Sequence, residues 1–166
     1  MAAVTTLPAA FVANTVLTAA QLNDLRGAFR VLQVVSATSV TAVSTTGGTY
    51  VTSGLTATIT PSSTSSKIYV VATLPIDVVS YGLCSVTLFR GTVAGTNLAI
   101  GAIPTFGYVT SAGGEIVGNY AMSILDSPST ASAQAYTVGI KTDSGNTIRA
   151  MRGGATGTIT LMEISA

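Results

Sequence analysis

From residue 31 onward, Thr, Val, Ile and Tyr alternate with small polar residues, and Gly, Ser, Asn or Pro interrupt the pattern at regular intervals. That language predicts half-buried β-strands joined by short turns. The spacing predicts about eight strands, at 31–40, 49–60, 67–74, 83–90, 98–103, 115–126, 134–141 and 157–164, with a further strand at 146–151. Pro75, Pro104 and Pro128 fall at or just beyond strand ends, where a missing amide donor is harmless. Glycines at 47–48, 113–114, 145 and 153–154 mark turns, the last of these read as a hairpin loop. By strand parity Cys84, Val86 and Leu88 share a core face, opposite Leu83, Ser85, Thr87 and Phe89. Around Ile68, Tyr69, Val70 and Val71 both faces are apolar, which implies a second covering surface such as a subunit interface.

The first thirty residues read differently. Positions 1–18 hold Pro8 and isolated apolar side chains without a period, the pattern of an extended arm ordered by a neighbour. Thr18-Ala19-Ala20-Gln21 fits a helix capping box, and Leu22, Leu25 and Phe29 follow at helical spacing. Gly27 weakens that helix. The expected chain is all-β: an antiparallel, jelly-roll-like β-sandwich of about eight strands over 31–166, preceded over 1–30 by an arm and one short α-helix.

Composition narrows the function. Only 8% of the 166 residues are charged, whereas Thr and Ser number 27 and 17, so hydroxyls must clothe much of the exterior. Such a surface suits a chain covered by copies of itself or by a larger assembly. The seven Lys and Arg form no run, which opposes nucleic-acid binding. Every apolar run is broken within a few residues, and the N-terminus lacks the pattern of a secretory signal. A soluble protein made by cytosolic synthesis, with no membrane insertion, is expected.

Chemistry is scarce. With no His and one Cys, imidazole- and thiolate-based triads and metal clusters are missing, so no cofactor, no metal and no enzymatic activity are expected. Cys84 reads as a core residue. The acid–base candidates are Asp24, Asp77, Glu115, Asp126, Asp143 and Glu163. Asp24 reads as solvating a helix, Asp143 as a turn residue and Asp126 as opening an Asp-Ser-Pro turn, although a glycosidase pair stays open on sequence alone. Tyr50, Tyr81, Tyr108, Tyr120 and Tyr136 could stack on a sugar but read mainly as core or interface residues.

Two sets of passages carry a resemblance. Phe11-Val12-Ala13-Asn14-Thr15-Val16-Leu17-Thr18-Ala19-Ala20-Gln21-Leu22-Asn23 resembles an N-terminal stretch of small structural and tail-fibre proteins of tailed bacteriophages. Passages at 55–68, 88–92, 125–128 and 158–164 resemble β-rich phage virion proteins. The resemblance implies a virion component, commonly homotrimeric, whose N-terminal segment attaches to other capsid or tail proteins while a β-sandwich faces outward. It places attachment on Phe11, Val12, Val16, Leu17, Leu22, Leu25 and Phe29. A tail-fibre or receptor-binding protein is the first expectation, and a capsid decoration (cement) or head-fibre protein the alternative. A polysaccharide depolymerase and a bacterial adhesin are less favoured. Loops at 80–83, 93–97, 105–115 and 143–146 would face a host surface glycan or protein, with Tyr81, Phe106 and Tyr108 as candidate contacts.

Overall fold

The computed structural model describes residues 16, 19, 31–79, 82–99, 105–109, 114–142 and 146–165, the side chains of 105–109 not among them. Eleven strands run through these residues: β1 (Val31–Ser39), β2 (Val43–Thr45), β3 (Val51–Ile59), β4 (Lys67–Val79), β5 (Gly82–Arg90), β6 (Thr96–Asn97), β7 (Thr105–Val109), β8 (Glu115–Asp126), β9 (Gln134–Thr142), β10 (Thr147–Ala150) and β11 (Gly157–Ile164). All the pairings are antiparallel.

The strands form two sheets. In the first, β4 is central: β8 lies along one side for its whole length, while β11 and then β10 occupy the other. β1 closes the β11 end and β2 the β10 end. The second sheet runs β3-β9-β5, and β6 and β7 share the far side of β5. Successive long strands therefore alternate between sheets, giving β1-β11-β4-β8 facing β3-β9-β5-β7. This is the order of a jelly roll, whose two Greek keys fold one on the other.

The alternation of each strand buries one face. Ile68, Val70, Ala72, Leu74, Ile76 and Val78 of β4 point inward with Ile159 and Leu161 of β11. Leu55, Ala57 and Ile59 of β3, Cys84, Val86 and Leu88 of β5, and Tyr136, Val138 and Ile140 of β9 belong to the same core cluster. The face assigned to Cys84, Val86 and Leu88 from parity is the core face. Ser85, Thr87 and Phe89, on the other face of β5, are buried as well. The chain covers them itself: Phe89 meets the Tyr50 ring edge-on at 5.2 Å, and the Thr87 hydroxyl donates to Asn97 Oδ1 at 2.7 Å. A Cβ at Gly139 would come within 2.7 Å of the Phe89 ring, so only glycine lets that ring lie flat on the sheet.

Several expectations need correction. Pro75 lies inside β4, not at a strand end. β11 pairs with β4 as far as Thr73 and β10 takes over at Ile76, so the amide that proline lacks would point into the handover between them. The Pro75 carbonyl there accepts from Met151 N at 2.9 Å. For the same reason residues 152–154 are not a hairpin loop. β10 and β11 run in one direction, one after the other along β4, and residues 151–156 bulge out between them through a 3-10 turn with Gly153 and Gly154 at positive φ. Of the strand expected at 98–103, Leu98 and Ala99 are bends that follow the short β6, and residues 100–103 lie outside the described residues. β7 occupies part of the stretch read as a 105–115 loop, and β2 was not foreseen. The arm and helix expected within 1–30 lie outside the described residues, Val16 and Ala19 apart.

One end of the sandwich is closed by polar groups. Gln33, Glu163, Ile68 and Asp126 form a single inward row across β1, β11, β4 and β8. Glu163 accepts from Gln33 Nε2 at 2.6 Å and from the Ser62 amide and hydroxyl at 2.7 and 2.6 Å, so it holds the β3–β4 connection onto the first sheet. Asp126 accepts from the Tyr136 hydroxyl at 2.7 Å and from Arg90, both on the second sheet. Burial alone would raise the Glu163 pKa, but the hydrogen bonds from Ser62, Gln33 and Ser66 outweigh it and hold the carboxyl at about 2. Because the folded value is depressed from 4.5, this stabilisation is complete above pH 4.5 and is lost as pH falls towards 2. Glu163→Gln is expected to cost about 1–3 kcal/mol at neutral pH. Urea titrations of the two proteins between pH 2 and pH 7 should show the acid-dependent loss in the wild type and a flatter profile in the variant.

Candidate interaction surface

The outer face of the first sheet is where the chain leaves apolar groups uncovered. Register places Val34, Met162, Tyr69 and Leu125 side by side across β1, β11, β4 and β8. Four strands at about 4.8 Å spacing make this row roughly 14 Å wide. Val34 is 57% exposed, Leu125 51% and Tyr69 36%. The next row is Ser36, Thr160, Val71 and Ser123, and the next Thr38, Thr158, Thr73 and Ala121. None of these side chains carries a charge. A hydroxyl costs less to desolvate than a charge and can be satisfied by a hydrogen bond from a neighbour, whereas a lysine or glutamate at the same place would resist contact.

Charge gathers at the far end of the same face. Arg149 lies directly across from Asp77, and Val117 across from it on the other side. Asp77 is buried beneath Arg149 Nη1 at 3.4 Å and Arg152 Nη1 at 2.8 Å, and Arg152 also reaches Glu115 at 2.6 Å. One oxygen of Asp77, Oδ1, is buried without a hydrogen-bond partner. A cleft of about 440 Å³ opens beside this cluster, bounded by Pro75, Asp77, Val117, Asn119, Arg152 and Ala155. Arg152 thus clamps two carboxylates from neighbouring strands. Asp126 and Glu163 are held in the polar row at the other end of the sheet, so each of the four described carboxylates has a tethering role in the fold.

A second hollow, of about 360 Å³, lies on the outer face of the second sheet between Thr52, Thr56, Val93 and Thr137. Among the described residues no cluster of three or more His, Cys, Asp or Glu could hold a metal ion. No described helix is long and apolar enough to cross a membrane.

Most of the residues singled out from sequence lie outside the described residues. Phe11, Val12, Leu17, Leu22, Leu25 and Phe29 lie outside the described residues, and Val16 is 93% exposed. Tyr81, Asp24 and Asp143 also lie outside them. Phe106 and Tyr108 are on β7, Tyr108 across from Leu83, with side chains outside the description. Of the other tyrosines, Tyr136 is fully buried and its hydroxyl pKa is raised, first by burial and then by the bond to Asp126. The apolar row escaped sequence reading except for its β4 member. The double-faced stretch at 68–71 signalled that Tyr69 needs cover, but only the register brings Val34, Met162 and Leu125 beside it.

No protein-family model matches the chain, and no curated protein does. Among solved structures it is similar to the VP2 subviral particle of infectious bursal disease virus, with 14% identity and a TM-score of 0.45, over 81% of this chain and 37% of that one. It is also similar to the structure of the Gx strain of infectious bursal disease virus, with 15% identity and a TM-score of 0.41, over 81% and 38%. The chain spans little more than a third of the length of those proteins.

Replacing exposed members of the row should separate association from folding. The double variant Val34→Ser with Leu125→Ser is expected to keep its unfolding free energy within about 1 kcal/mol of wild type. Sedimentation velocity over a concentration series should show weaker self-association in the variant.

Proposed function

We propose that this chain is a non-catalytic structural subunit of a virus particle that works as an oligomer of identical copies. The observation that carries this reading is the outer face of the first sheet, three rows of uncharged side chains with a large apolar row at one edge. A face of that kind is stable in water when a neighbouring subunit lies on it.

The resemblance of residues 11–23 supports a tailed-phage virion, with residues 1–30 attaching the subunit to other capsid or tail proteins and the jelly roll displayed outward. In the first reading the assembly is a homotrimeric tail-fibre or receptor-binding protein that holds a host surface glycan or protein without turnover. Several weak sites on one rigid body then reinforce one another by about 10²–10⁴ in avidity. The breadth of the uncharged face favours a second reading, a capsid decoration protein lying against the shell.

Electron microscopy of particles decorated with an antibody to the β domain tests both readings. Label at the tail tip is expected from the first and label over the shell from the second, while its absence from particles would contradict both. Deletion of residues 1–30 is expected to leave strand content by circular dichroism intact while abolishing incorporation into particles.

A further inference from the structure

The outer edge of β8 carries a second message. Among the described residues β8 pairs with β4 alone, although it is twelve residues long. Alternate amides and carbonyls along roughly 40 Å of backbone therefore face away from the sheet. Proteins usually blunt such an edge with lysine, proline or an inward charge. β8 reads Glu-Ile-Val-Gly-Asn-Tyr-Ala-Met-Ser-Ile-Leu-Asp, with charges only at its ends. Both are already engaged within the chain, Glu115 by Arg152 and Asp126 by Arg90 and Tyr136. At the opposite edge, among the described residues, β1 pairs with β11 alone, and its Gln33 reaches across to the Thr60 carbonyl at 2.6 Å.

We propose that β8 pairs antiparallel with β8 of a second copy, about a two-fold axis at Ala121, and so joins two sheets into one. The strand is self-complementary in that register. Residues that face one another in an antiparallel pair share a face of the sheet. With Ala121 opposite its own copy, Val117 faces the partner's Leu125, and these are the two most exposed large apolar side chains of β8, at 74% and 51%. Asn119 faces the partner's Ser123 on the same side, while Gly118 faces the partner's Ile124 and Tyr120 the partner's Met122 on the other. Glu115 falls opposite the partner's Ser127 and Asp126 opposite the partner's Ile116, so no like charges meet. Moving the axis to Tyr120 keeps the faces matched but sets Glu115 against the partner's Leu125 and leaves Val117 against a serine. In the Ala121 register the apolar row of the outer face continues from Leu125 onto the partner's Val117.

This inference rests on the reading of the chain as a self-assembling subunit and names one of its contacts. A two-fold contact links copies in pairs; where another face builds a trimer, it joins trimer to trimer.

The test uses the full chain with Ala121→Cys, an exposed position. Opposed Cβ atoms in such a pair stand about 4.5–5.5 Å apart, close enough for a disulfide to form with small adjustment. Under mild oxidation the expected product is a covalent species of twice the protomer mass. Asn119→Cys alone and Ser123→Cys alone should remain single chains, and a mixture of the two should cross-link. Wild type supplies the control, since Cys84 is buried. A Val117→Lys, Leu125→Lys double variant should keep its strand spectrum and weaken the pairing roughly tenfold or more. An Ala121→Cys protein that stays single-chain while native mass spectrometry shows an oligomer would overturn the β8 contact and leave the assembly reading standing. A protein that is monomeric at micromolar concentration by the same measurement would overturn both.

Discussion

β4 is hydrogen-bonded along both of its sides, and what the molecule shows to its surroundings follows from that. Its thirteen residues need two partners on one side, β11 then β10, because the chain bulges out at residues 151–156 between them. On the other side β8 matches β4 residue for residue over its full length, and among the described residues no further strand follows it. A long edge and a broad outer face are the consequence. Both consist of residues whose inward neighbours are committed to the core, so neither can be turned away from solvent without unfolding the sheet.

The charge distribution acts in the same direction. A chain with only thirteen acidic or basic side chains could have placed them on the outer face to keep it wet. Among the described residues, Asp126 and Glu163 instead close one end of the sandwich and Asp77 is buried under two arginines at the other. Each carboxylate ties together segments distant in sequence, for which a directional, charge-assisted hydrogen bond is better suited than a methyl group. The middle of the outer sheet is left to threonine and serine. Threonine favours strands, and both hydroxyls accept water or, where a neighbour displaces it, hydrogen bonds from that neighbour, at less cost than a buried charge.

Much of the fold was legible because a strand with one buried face writes its period directly into the sequence. The limits of β8 and β11 coincide with those expected, and the core side of β5 follows from parity. What escaped was long-range. Pro75 ends a strand by local rules, yet β4 passes through it because a gap between two partner strands happens to face its nitrogen. Asp126 looks like the start of an Asp-Ser-Pro turn, and nothing local reveals that Tyr136 and Arg90 reach it from the other sheet. The exposed row needed register from four strands, of which sequence marked only Tyr69. The covering of Thr87 was hidden because Asn97 falls in a stretch that reads as a loop, and that of Phe89 because nothing local sets Tyr50 against it. The attachment residues of 1–30, Val16 apart, and Tyr81 stand outside the described residues, and the side chains of Phe106 and Tyr108 are undescribed.

The central claim is that identical copies shelter the outer sheet and its β8 edge. Amide hydrogen exchange of β8, followed at protein concentrations from nanomolar to tens of micromolar, tests it most directly. Residues 115–126 are expected to gain protection as concentration rises, while the core strands β9 and β11 stay equally slow throughout. Exchange in β8 that is the same at every concentration would contradict the claim.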